Sequence, residues 1–163
     1  MKRCFSLLLC TVLFFSYFAI ETNATSEEQF IPYVVDLIVT TDVDKNTMDS
    51  SDVRATGLIY SYSLYLTKTG TTLNITGQTY GTMDVVKSGF KDLIIQRRKT
   101  SSDSWEDYYE YGNLYADAIA ANLNTTLVVE SGYQYRISCK HYAKKNILSV
   151  QTIANTSNIV TVS

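Results

Sequence analysis

"SGYQYRISCKHYA", residues 131–143, sets Tyr133, Tyr135, Ile137, Cys139 and His141 at every second position, with Gln134, Arg136, Ser138 and Lys140 between them. That is the period of a strand with one buried face. The stretch also holds the chain's only histidine, so its reading decides between a packed strand and a thiol–imidazole site. Residues i and i+2 of a strand stand about 7 Å apart, beyond the reach of a thiol and its general base. Burial also raises a thiol pKa, the reverse of what a nucleophile needs. The expectation is a packed strand in which Cys139 is a small buried hydrophobe and His141, near the strand end, is half-exposed. As zinc ligands the two lack the further partners a structural site needs.

Outward from this strand the same period recurs. In "LIYSYSLYL", Leu58, Tyr60, Tyr62, Leu64 and Leu66 share one face, against Ser61 and Ser63. After a turn at Thr69-Gly70, "TLNITGQT" places Leu73, Ile75 and Gly77 inward. "FKDLIIQRR" is a less clearly sided strand, and "KTSSDS" is a hairpin loop into "WEDYYEY". "TTLVVE" leads through a tight turn at Ser131-Gly132 into the opening strand, followed by "LSVQTIA" and "NIVTVS". "LYADAIAANL", residues 114–123, reads as a helical turn. The 13 tyrosines and abundant Thr, Val and Ile favour extended backbone. The reading is all-β: a single antiparallel immunoglobulin-like β-sandwich of about seven strands over residues 57–163.

The N-terminus reads differently. Lys2 and Arg3 precede a charge-free run at positions 4–20, and Thr22-Asn23-Ala24 offers small residues for cleavage. Residues 1–24 are expected to be a secretory signal peptide, and the mature protein to be secreted. The run also reaches the length of a membrane anchor, but the cleavage site favours removal and no stable membrane span afterwards. Cys10 follows Leu9, which does not suit a lipoprotein. Losing Lys2, Arg3 and Glu21 turns 14 basic and 16 acidic residues into 12 and 15. A mildly acidic chain is a poor partner for nucleic acid. The same cut leaves Cys139 as the sole cysteine, so no internal disulfide is available. Residues 25–56 form an N-terminal segment, "FIPYVVDLIV", in which Pro32 argues against a helix, followed by an acidic linker.

Two further candidates for chemistry stand out. Asp42, Asp44 and Asn46 match the first ligand positions of a calcium loop, but Thr47 replaces its glycine and Val53 its terminal glutamate. A solvated linker is the expectation, with no metal and no cofactor. Glu106, Asp107 and Glu110 beside Trp105 offer paired carboxylates for glycan hydrolysis. Acids on the outer face of a hairpin strand, or an aromatic face that binds a glycan or an extracellular protein, explain them as well. No phosphate loop, Gly-x-Ser-x-Gly elbow or His-Glu-x-x-His is present.

"GTTLNITGQTYG", "LIIQRRKTSSDSW" and "SGYQYRISCKHYA" before a Ser/Thr-rich closing strand resemble a family of small exported Gram-positive bacterial proteins of unknown function, over about residues 56–162. The same features are similar to fibronectin-type and immunoglobulin-like sandwiches, although no second cysteine stands ready to bridge Cys139. The resemblance implies no catalytic residue. A non-enzymatic binding or cell-surface interaction module is therefore expected. The alternatives are a secreted glycan hydrolase or a small toxin- or bacteriocin-like effector.

Overall fold

Alternation in the sequence becomes alternation of burial in space. The computed structural model describes residues 30, 32–40 and 57–163. The segment 1–24, expected to be a signal peptide, and the Asp42, Asp44, Asn46 and Val53 positions lie outside the described residues. The described residues form nine strands and no helix: β1 (Tyr33–Thr40), β2 (Ile59–Thr69), β3 (Thr72–Gly81), β4 (Lys87–Arg98), β5 (Glu106–Ala116), β6 (Ala120–Val128), β7 (Tyr133–Asn146), β8 (Ser149–Thr156) and β9 (Val160–Val162). Among them no helix is long and apolar enough to cross a membrane.

The strands assemble into two antiparallel sheets. One runs β1-β6-β3-β2, the other β5-β4-β7-β8, with β9 also paired to β7. Their facing sides make one core, in which Leu73, Ile75 and Leu127 of the first sheet meet Phe90, Ile95 and Ile137 of the second. Each of these is fully buried, and each such side chain contributes about 2 kcal/mol relative to exposure. All eight segments read as strands between residues 57 and 163 form strands. The ninth, β1, comes from "FIPYVVDLIV" and pairs along β6 from Tyr33↔Val128 to Thr40↔Asn122, so the sheet begins upstream of residue 57.

The helical turn expected over 114–123 is not there. β5 continues to Ala116 and β6 starts at Ala120, with a bend between them. The carbonyls a helix would have used are taken elsewhere. Ala118 O accepts from Ser88 Oγ at 2.9 Å and Ile119 O from the Gly81 amide at 2.7 Å, so tertiary bonds override local alanine propensity. The face assigned to β2 is also modified. A register shift between Ile59 and Ser61 buries Ile59 and leaves Tyr60 47% exposed, whereas Tyr62, past the shift, keeps the face of Leu64 and Leu66. The poor sidedness of β4 has the same origin: its pairing with both β5 and β7 shifts between Phe90 and Ile94, around Asp92 at φ 52°.

Three local devices fix the frame around the outer strands. Asn158 grips the exposed edge of β2, its Oδ1 accepting from the Leu66 amide at 3.0 Å and its Nδ2 donating to the Leu66 carbonyl at 2.7 Å. The Tyr135 hydroxyl donates to the Glu130 carbonyl at 2.7 Å, pinning the corner from β6 into β7. Gly89, at φ 155°, lies between Tyr115 of β5 and Tyr142 of β7, where a Cβ would run into the Leu114 carbonyl.

Candidate functional site

The face predicted for β7 is the one observed. Tyr135, Ile137, Cys139 and His141 are all buried, while Lys140 is exposed. His141, however, is wholly buried rather than half-exposed, because β7 continues to Asn146. Its ring lies 4.8 Å from that of Tyr62 and 5.4 Å from that of Phe90.

The hydrogen bonds around His141 define its tautomer. Thr79 Oγ1 spends its proton on the Gly89 carbonyl at 2.8 Å, so it accepts from His141 Nδ1–H at 2.8 Å. Asn155 Oδ1 accepts from the Thr156 amide at 2.8 Å, which leaves Asn155 Nδ2 to donate to the bare Nε2 at 3.2 Å. The relay from the Gly89 carbonyl through Thr79 and His141 to Asn155 is thus satisfied with a neutral imidazole. Burial holds the His141 pKa down at about 4 and pushes the Cys139 thiol up to about 12. Cys139 Sγ does approach Nε2, at 3.9 Å, closer than strand spacing alone suggested. Yet a neutral thiol beside a neutral ring is the reverse of an activated pair.

The carboxylates near Trp105 are not brought together. Glu106 turns to Arg97 Nε at 2.6 Å, in a cluster that includes Glu130 at 2.9 Å and the rings of Tyr108 and Tyr133. Asp107 points to the other side of β5, where its Oδ1 accepts from Gln96 Nε2 at 2.8 Å. Glu110 is exposed further along the strand. Adjacent residues on a strand face opposite ways, so these acids do not converge on one bond.

What gathers instead is a polar lattice on the outer face of β4 and β7. Gln96 pairs with Arg136 and Arg98 with Gln134 across the two strands. Arg136 Nε donates to Gln96 Oε1 at 2.9 Å, and Arg98 Nε donates to Gln134 Oε1 at 2.8 Å. Both guanidiniums lie against the indole of Trp105, 4.3 Å from it for Arg136 and 4.4 Å for Arg98. Burial first, and then the charge of Arg98 beside it, hold the Arg136 pKa below its ordinary value. Among the described residues neither arginine is in an ion pair, whereas Lys87, Arg97, Lys140 and Lys145 are.

Sequence reading pointed at Trp105 but not at these arginines. The outward set of Arg136 was legible from the period of two. Its pairing to Gln96 and Arg98 depends on β4 lying beside β7, which no local pattern carries. A second exposed feature lies near the β3–β4 loop and the β7–β8 hairpin, where Met83, Ile147 and Leu148 are 95%, 85% and 93% exposed. A shallow cavity of about 280 Å³ opens there between Tyr60, Tyr80 and Met83. Among the described residues no three His, Cys, Asp or Glu side chains gather as metal ligands. The chain matches no protein-family model, no curated protein and no solved structure.

Proposed function

We propose that this chain is a secreted, non-enzymatic binding module on an immunoglobulin-like sandwich of the fibronectin kind. The strand order β2-β3-β6 facing β5-β4-β7-β8 supports the sandwich type. So does Tyr135, which opens β7 and bonds back to the Glu130 carbonyl as a tyrosine corner does. Export rests on the charge-free run at 4–20 and the small residues that follow it.

The observation that carries binding over catalysis is the division of polar groups between inside and outside. The thiol and imidazole are sealed in the core in neutral form, and Glu106 and Asp107 diverge. The outer face of β4 and β7 offers ordered amides, two guanidiniums and an indole to an external ligand. The test is incubation with a panel of extracellular polysaccharides and proteins. Saturable binding with the ligand recovered at its original length is expected. Release of new reducing ends, abolished by Glu106→Gln, Asp107→Asn or Glu110→Gln, would replace this reading with the glycan hydrolase.

A further inference from the structure

Two like charges held side by side without a counter-ion are costly in an otherwise mildly acidic protein, where carboxylates are plentiful. Arg98 and Arg136 are nevertheless set against the same indole. Each is oriented through Nε by a glutamine on the neighbouring strand, and Arg98 Nη1 is also held by the Ser101 carbonyl at 3.0 Å. These bonds fix the guanidinium planes but leave the terminal nitrogens of Arg136 without a protein acceptor among the described residues. A fixed fork of N–H donors is what a planar or tetrahedral oxyanion needs. The acids that flank Trp105 in the same hairpin are already engaged: Glu106 by Arg97, Asp107 by Gln96, and Asp103 by the Thr100 amide and hydroxyl at 2.7 and 2.9 Å.

We propose that Arg98, Arg136 and Trp105 form a binding site for the sulfate or carboxylate groups of an acidic polysaccharide. The inference rests on the binding-module reading and gives it a ligand class. A polysaccharide fits better than a protein because the lining is amide and guanidinium, with the Nε2 of Gln134, whose Oε1 is held by Arg98, left for a sugar hydroxyl. The strongly exposed aliphatic anchors that a protein partner would use lie elsewhere, at Met83, Ile147 and Leu148.

The chain's single tryptophan makes the site its own reporter. The full chain is titrated with heparin, alginate, neutral dextran and poly-glutamate while Trp105 emission is followed at two salt concentrations. Heparin or alginate is expected to shift the emission saturably, heparin alone identifying sulfate and alginate carboxylate as the group recognised, with binding that weakens as salt rises. Arg98→Gln and Arg136→Gln should each weaken binding roughly tenfold. Arg136→Lys, which keeps charge and packing but loses the fork, should also weaken it and remains informative if the glutamine variants do not fold. Lys68→Gln, an exposed cation on β2, should leave binding unchanged. The proposal is overturned if Lys68→Gln weakens binding as much as Arg136→Gln, if poly-glutamate binds as tightly as the polysaccharides, or if no polyanion moves the emission. Dextran binding with the same emission change would keep the binding module and reject its anionic ligand. Cleavage of any polymer would reject the module itself.

Discussion

His141 is a titratable group placed where only its neutral form fits, and this makes stability depend on acidity. Its pKa falls from an ordinary 6.5 to about 4 in the folded chain. The unfolded chain therefore takes up a proton first as the pH drops. Stability is full above about pH 6.5 and declines until about pH 4, by about 3 kcal/mol from this residue alone. Urea titrations at pH 7 and pH 4.5 should reveal that loss in the native sequence and a smaller one in His141→Gln, which cannot take up the proton. Equal losses would mean that the imidazole is not held neutral. Cys139 should resist iodoacetamide near neutral pH while the urea-unfolded chain reacts, since its thiol stays protonated up to about pH 12. Modification of the native protein at the unfolded rate would reopen the thiol–imidazole reading. The shared face of Cys139 and His141 was legible from spacing alone. Their 3.9 Å approach was not, because the pleat fixes where Cβ atoms stand and not how far an imidazole leans along its strand.

At the scale of elements, the edge of β2 shows what side chains do where no further strand pairs among the described residues. Unpaired edge amides invite other chains, and Asn158 occupies both backbone groups of Leu66. Asn158→Ala should lower stability by about 2 kcal/mol through two lost hydrogen bonds and should increase self-association on storage, measured by light scattering. An unchanged denaturation midpoint and unchanged scattering would show that the strap is idle. The strands were legible where the period of two ran unbroken, as in β3, whose Leu73, Ile75 and Gly77 are buried as read. It failed where the backbone breaks step: at the bulge that turns Tyr60 outward, and around Asp92 in β4. Residues 114–123 misled for another reason. Their alanines favour a helix locally, while Ser88 and Gly81, more than 30 positions earlier for the farther of the two, claim the carbonyls.

For the whole molecule, the two-sheet class followed from strand count and turn spacing, whereas the order of strands did not. Sheet neighbours such as β4 and β7 are far apart in sequence, so the outer lattice around Trp105 was visible only as its separate halves, "QRR" and "YQYRIS". The exposed Ile147 and Leu148 belong to the same scale, since they are apolar yet outside the core. The turn that carries them is held by Asn146 Oδ1 accepting from the Leu148 amide at 2.9 Å. Replacing both with serine should change stability by less than about 0.5 kcal/mol. A larger loss in thermal denaturation would show that they pack against something. The Asn158 strap also sets a clock. It joins positions separated by 92 residues, a span that a ribosome takes roughly 5 to 18 s to add. Topologies dominated by such distant pairings fold slowly. A nascent chain therefore emerges with β2 and β3 complete but without the strap on their edge for seconds, and the segment that carries Asn158 decides when that edge can lock.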